Sequence, residues 1–470
     1  MGNQDTERAE HHDNNWSQSK FDTIPPQLLT SLTAKDYVDV LKEARWNNDY
    51  RNMVICKYLG AKSVDQIIFS SFVCSEAISV VYRYVILEYF TTLGLKVEKI
   101  GLIDSDGDYP PSFSAIEISS TKSEDRLVYG DYFVSDATGT NKYIVHLEST
   151  YPDAFTFRFA SLKTVKPDCN ALSAGMEKYG KDHNFLKGQK IDPGCNFIKL
   201  NKKFTWDDLI LEDEVKVEIQ RNIKNLIEYE QIYKKNGLQI KRGLILAGEP
   251  GTGKTVLAKI LCNQIDWTFI WVTSKHLESP KHMAQIVKLA RDLSPTVLFL
   301  EDLDLFGGSR EHNSNPMMLG ELMNQLDGIE ENSDILVIAT TNNKDMLEKA
   351  LVSRPGRFDK VIDFPLPKKA ERLKMLKAFS NGLITEDNPY IDRVAAEYKK
   401  KTGAQIRELV NMAIIFAIDD KSYDENDKLI IKEDHFEKAM KNVKAKDFKQ
   451  ISGFTPGASS PIGRHIDFDD

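Results

Sequence analysis

The 470-residue chain lacks any apolar run long enough to span a bilayer. Its most apolar stretch, Phe72 to Leu95, carries Glu76, Arg83 and Glu88 where a spanning helix would have to desolvate them. It reads instead as an amphipathic core helix, and no membrane span is expected. Cysteine is scarce too. Cys56, Cys74, Cys169, Cys195 and Cys262 stand far apart with no C-x-x-C pair. That spacing excludes a zinc ribbon or a dense disulfide framework and fits buried free thiols in a reducing, cytoplasmic compartment. Basic charge is not in excess: 62 Lys and Arg face 70 Asp and Glu, for a net charge of −8. The balance argues against a general polyanion binder but leaves room for a local basic channel. What remains is an ordinary globular composition, 41% hydrophobic and 28% charged, with length for roughly two to four domains.

Residues 1–25 are polar and lack the apolar core of a secretory signal, so they read as a disordered leader. Gly2 and Thr6 fit the myristoylation pattern, but that pattern is common by chance and no polybasic cluster follows. Residues 26–165 read as an α+β amino-terminal domain. Its pattern is helical from Pro26 to about Leu95, then turns to strands at Ser112–Ser119, Arg126–Ser135, Lys142–Ser149 and Ala154–Ala160. His146 stands alone on one of these and reads as a structural histidine, not a ligand. Residues 166–200, with scattered Gly, Pro and Lys, read as a linker.

The chemistry begins at Gly248-Glu249-Pro250-Gly251-Thr252-Gly253-Lys254-Thr255, between the apolar run Leu244–Ala247 and a helical pattern starting with Val256. The spacing is G-x-x-x-x-G-K-(S/T), a phosphate-binding loop. Glycines let backbone N–H groups wrap phosphates, Lys254 adds a point charge and Thr255 a hydroxyl for Mg²⁺. A chance glycine-rich turn would lack the strand before it and the helix after it. Upstream, Asp213 to Gly237 places Val215, Ile219, Ile223, Leu226 and Ile227 on one helical face, with Gly237 as its cap. Downstream, apolar runs at Trp267–Thr273, Val297–Leu300, Ile335–Thr340 and Val361–Phe364 alternate with helical patterns. Strands alternating with helices imply a parallel sheet covered on both faces.

Glu301, Asp302 and Asp304 follow the third of these five strands. Carboxylates at that end of a buried strand beside a phosphate loop are placed to organise Mg²⁺ and to activate water. Thr340-Thr341-Asn342 ends the fourth strand within reach of a γ-phosphate. In Ser353-Arg354-Pro355-Gly356-Arg357, two guanidinium groups flank a rigid turn, a group suited to transition-state charge on a phosphoryl. Alone, either segment would be an ordinary surface turn.

Together these residues resemble the AAA ATPases of the AAA+ superfamily, from Phe204 to about Lys446. The likeness takes in the Phe204-Thr205-Trp206-Asp207-Asp208-Leu209 lead-in, the Walker A loop and the Walker B strand. It continues through a Leu319–Gly328 helix ending in Asp327-Gly328, sensor 1 at Asn342, and Arg354 with Arg357. It closes with Gly403-Ala404 at the start of a lid helix. The resemblance implies ATP and Mg²⁺ as cofactors, an α/β ATPase subdomain over 201–367, a helical lid over 368–450 and a flexible tail over 451–470. It also implies a homo-hexameric ring in which Arg354 and Arg357 act at a neighbour's nucleotide. Glu249, Pro250 and Val256 would line the nucleotide with the rest of the loop.

Three features depart from the family. The Walker B acids stand as Glu301-Asp302, the reverse of the usual Asp-Glu, a swap similar to that of mitochondrial Rieske-protein translocases and some bacterial AAA proteins. By register, Glu301 falls at the metal-associated acid and Asp302 at the catalytic base. The pore segment Ser279-Pro280-Lys281-His282-Met283 has no aromatic paddle, which leaves His282 and Met283 as the nearest client contacts. The lid offers Gln405 where many relatives have a sensor arginine, with Arg407 two residues on. The expected function is ATP-driven remodelling of a protein client chosen by the amino-terminal domain. A nucleic-acid motor or loader is disfavoured by the acidic balance, and an ATP-gated scaffold regulating a partner enzyme remains a second alternative.

Overall fold

The computed structural model describes residues 50–103, 107–150, 154–237, 241–277, 279–305, 320–322, 324–325, 334–343, 358, 360–384 and 389–452. The leader, the first part of the helical stretch, Asp327-Gly328, Arg354, Arg357 and residues 453–470 of the tail lie outside the described residues. Contacts divide the chain into two units, Met1–Lys199 and Leu200–Asp470. Among the described residues, no helix is long and apolar enough to cross a membrane. All five cysteines are free, and four of them are buried.

The amino-terminal unit begins with α1 (Tyr50–Leu59), β1 (Ile67–Ser75), α2 (Glu76–Thr92) and β2 (Leu95–Ile103). The short β3 (Asp108–Tyr109), then β4 (Ser112–Ser119), β5 (Lys122–Asp136), β6 (Lys142–Thr150), β7 (Ala154–Leu162) and α3 (Cys169–Asp182) complete it. The sheet runs β1-β7-β6-β5-β2-β3, with β4 paired to β5, and its ladders are antiparallel. Strand parity sorts the two faces. Ile67 and Ala160 pack with Ile55 and Leu59 of α1, whereas Phe72 and Phe157, of opposite parity, stack at 4.7 Å and meet Tyr82 of α2.

The expected helix from Pro26 to Leu95 is corrected at Ile67–Ser75, which is a strand. A short apolar run is ambiguous by pattern; here nine residues pair with β7, and the helix starts only where the Ser75 hydroxyl accepts from the Ile78 amide. The stretch read as a linker contains α3, capped by Asp168. Its glycines are packing positions: a Cβ on Gly175 or Gly180 would come within 2.3 Å of Tyr89 or Tyr82. Helix α3 therefore lies against α2, and the Tyr89 hydroxyl donates to the Leu172 carbonyl at 3.0 Å.

His146 is structural. Its Nδ1 lies 3.0 Å from Asp131, a fully buried carboxylate that also accepts from Arg51 at 2.8 Å and from the Ile103 amide at 2.9 Å. Burial by itself would raise the Asp131 pKa, but the His146 hydrogen bond and the Arg51 charge hold it below the usual range.

The second unit opens with α4 (Asp213–Ile219), which continues through a π-type turn at Gln220–Lys224. Ile219, Ile223 and Leu226 are its buried face, and Gly237, at φ 66°, closes the segment. Then come β8 (Lys241–Ala247), α5 (Lys254–Gln264), β9 (Thr268–Val272), α6 (Pro280–Asp292), β10 (Thr296–Leu300), β11 (Ile335–Thr341) and β12 (Lys360–Asp363). The parallel order β12-β8-β11-β10-β9 puts the phosphate-loop strand between β11 and β12. Every residue of β10 and β11 is buried, as both-face coverage requires. The lid helices α7 (Lys369–Phe379), α8 (Pro389–Glu397), α9 (Gly403–Asp419) and α10 (Glu433–Ser452) share a core around Leu376, Ile391, Leu409, Val410 and Phe436.

Candidate active site

Strand β8 delivers the chain into Gly248, where only hydrogen fits: a Cβ would sit 2.4 Å from the Phe364 carbonyl oxygen. Gly251 and Gly253 take left-handed φ values of 80° and 114°, and the Thr252 hydroxyl closes the loop on the Glu249 carbonyl at 2.9 Å. Lys254 opens α5 and turns its ammonium back over the loop. It donates to the Gly248 and Glu249 carbonyls at 2.5 and 3.0 Å and to Asn342 Oδ1 at 2.9 Å. Burial pushes its pKa down, against the pull of Asp302 and Asp304. A buried ammonium whose partners among the described residues are neutral oxygens, at a helix N-terminus, fits a phosphate.

The acids leave the end of β10 in different directions. The Glu301 amide extends the ladder by one bond to the Val272 carbonyl, 2.8 Å. Its carboxylate accepts from the Thr255 hydroxyl at 2.7 Å and from the Trp271 indole N–H at 3.0 Å. At Asp302 the backbone takes φ 54°, an uncommon value for a non-glycine residue and one found at functional turns. The Asp302 amide donates to Thr340 Oγ1 at 2.8 Å, and Oδ1 accepts from Asn342 Nδ2 at 3.3 Å. Burial, with the neighbouring Glu301 and Asp304 charges, raises the Asp302 pKa. Asp304 accepts from the Asn342 amide at 3.0 Å and so orients the asparagine.

The lid closes the other side. Ala404 donates its amide to the Gly251 carbonyl at 3.2 Å, and a Cβ on Gly251 would stand 2.5 Å from the Ala404 Cβ. Gln405 is spent on capping: its amide and side chain exchange bonds with Thr402 at 3.3 and 3.0 Å. A cavity of about 510 Å³ runs from the loop to the lid, past Val256 and Gly403, and is walled by Phe204, Leu209, Met375 and Arg407. The Arg407 guanidinium lies 4.5 Å over the Phe379 ring.

The fold thus gathers Gly248 through Val256, Glu301, Asp302, Asn342, Gly403 and Ala404 around one cleft; Arg354 and Arg357 lie outside the described residues. Pro280 opens α6, and Met283 on its first turn is fully buried, so the expectation for that side chain is corrected. Reading the sequence missed Trp271, which belongs to no local motif and reaches Glu301 only across the sheet; it named Thr340 for the γ-phosphate and not for its bond to the Asp302 amide.

The loop, the paired acids and the four-helix lid define a P-loop nucleotide-binding protein whose cleft is shaped by two subdomains. Residues 244–366 match the family described as "ATPase family associated with various cellular activities (AAA)". Similar proteins include a cell division cycle protein 48 homolog of Archaeoglobus fulgidus, 31% identical over 51% of this chain and 35% of its own length. The ATP-dependent zinc metalloprotease FtsH of Mesomycoplasma conjunctivae is 34% identical over 50% of this chain and 33% of its own. The 26S proteasome regulatory subunit 8 of Dictyostelium discoideum is 30% identical over 56% of this chain and 67% of its own. This chain belongs to the AAA ATPases, and it spans about a third of the length of the first two of these relatives.

Proposed function

We propose that the protein hydrolyses ATP with Mg²⁺ as a homo-hexameric ring and uses the turnover to remodel a protein client in the cytoplasm. The observation that carries this reading is the shared bonding of Lys254, Asn342 and Asp302 beside the Thr255–Glu301 pair. Lys254 exchanges its carbonyl partners for phosphate oxygens, and the backbone N–H groups of the loop hold the same anion. Thr255 and Glu301 would hold Mg²⁺, which when bound would neutralise phosphate charge. Asp302, kept in place by Asn342 and Thr340, takes the proton of the attacking water. Arg354 and Arg357 supply positive charge to the neighbouring subunit's site. Two of the relatives carry protein breakdown in their names, a metalloprotease and a proteasome subunit, and this favours a protein client over nucleic acid. The amino-terminal unit, a separate sheet with its own core, is where client choice would lie.

The test is nucleotide binding and turnover, with and without added macromolecule. Lys254→Ala should lose nucleotide binding. Turnover of the intact chain should rise with unfolded protein. Stimulation by nucleic acid alone would move the reading to a motor or loader, and stimulation only by one dedicated enzyme would move it to a scaffold.

A further inference from the structure

Trp271 stands on β9 directly beside Phe299 of β10 in the parallel register. Its ring meets Phe299 at 5.6 Å and Phe269 at 5.9 Å, both edge-on. Glu301 lies two residues beyond Phe299, so strand alternation returns its side chain to the same face of the sheet. There the indole N–H reaches Oε2 at 3.0 Å while Thr255 holds Oε1 at 2.7 Å. A glutamate has one more rotatable bond than an aspartate, and both of its oxygens are tied here by donors from two different elements.

We propose that Trp271 is a positioning residue for the magnesium-side acid. Its N–H holds the Glu301 carboxylate at the end of β10 when the Thr255 hydroxyl turns from the acid to the metal. This assignment rests on the ATPase reading above. It explains how the longer acid serves at that place: the extra methylene spans about 1.5 Å, and without a fixed outer oxygen the carboxylate would have a free torsion to order on metal binding. The competing account is that Trp271 is only a core aromatic whose N–H finds a convenient acceptor.

The two accounts separate in the Trp271→Phe variant, which keeps the ring contacts and removes the donor. The measurement is the Mg²⁺ concentration that half-saturates binding of a fluorescent ATP analogue, read without turnover. Loss of the indole bond should raise it roughly ten- to thirtyfold, the lower part of what a hydrogen bond to a charged group yields. Affinity at saturating Mg²⁺ should stay level. In a Glu301→Ala background, which removes the acceptor, the added shift from Trp271→Phe should fall below about twofold, because the two act through one bond. Glu301→Asp, too short to keep both donors, is the second arm and should raise the Mg²⁺ requirement with Trp271 intact, whether or not Trp271→Phe folds. Unchanged Mg²⁺ dependence in folded Trp271→Phe or Glu301→Asp, or a full shift that persists with Glu301→Ala, overturns the assignment. Failure of the ATPase reading shows separately, as absence of Mg²⁺-dependent nucleotide binding in the unaltered chain.

Discussion

Replacing Asp302 with Asn removes the proton acceptor while keeping the size of the side chain. The amide to Thr340 is a backbone bond and survives, and a side-chain carbonyl can still accept from Asn342. Lys254 keeps its two carbonyl partners and Asn342. Binding of ATP should therefore change by less than about threefold, whereas loss of a general base slows turnover roughly 10²- to 10⁴-fold. A second signature comes from the raised Asp302 pKa, which burial and the Glu301 and Asp304 charges produce. The base works only when deprotonated. A raised pKa keeps it protonated to higher pH, so in the intact protein the acid limb of turnover should lie above the ordinary carboxylate range near about 3.9. In Asp302→Asn the residual rate should lose that limb. Steady-state turnover across pH, with ATP affinity measured in parallel, decides it. If Asp302→Asn turns over normally while Asp304→Asn is inactive, the base is Asp304 and its bond to the Asn342 amide is not merely orienting.

Three other outcomes follow from the geometry. Gly251→Ala should weaken nucleotide binding about tenfold or more, since φ of 80° costs an L-residue roughly 1–2 kcal/mol and the new methyl meets Ala404 at 2.5 Å; Ala404→Gly should restore part of it, and no recovery in the double variant would show that the lid contact is not the cause. Arg357→Ala and Lys254→Ala subunits, each inactive alone, should regain activity when mixed, because some interfaces then join an intact arginine to an intact loop; mixed rings that stay inactive refute action in trans. Asp131→Asn should destabilise the amino-terminal unit by about 2–3 kcal/mol, below the full cost of breaking a buried pair because Arg51 is 22% exposed. Hydrogen exchange over residues 50–199 reads that loss. In the intact protein the depressed Asp131 pKa provides stability above the unfolded carboxylate value, and protection should fall as pH drops through the folded value.

Much of the site was legible in sequence because its chemistry is local. Gly248 to Thr255 encode their own conformation: two left-handed glycines, one glycine pressed on a carbonyl, and a lysine at the first position of a helix. The β10 acids and Asn342 were legible for a related reason, since residues at the carboxyl ends of neighbouring parallel strands must meet at one edge. The buried strands were found by their unbroken apolar runs. The amino-terminal fold was harder to read. Ile67–Ser75 is as apolar as the helix that follows it, and only pairing with β7 chose strand. Gly175 and Gly180 look like linker glycines until Tyr89 and Tyr82 of α2 are found against them.

The sequence by itself determined the phosphate loop, the order of the parallel strands' motifs and the identity of the acids, because each depends on residues adjacent in the chain or repeating at a strand or helix period. Only the tertiary structure shows which side chains hold each acid. Glu301 and Asp302 are neighbours in sequence, yet one is held by Thr255 and Trp271 and the other by Thr340 and Asn342. The strand's alternation and the left-handed turn at Asp302 send the two carboxylates apart. Their partners come from three other elements, α5, β9 and the end of β11, whose proximity is set by sheet register and not by any spacing along the chain.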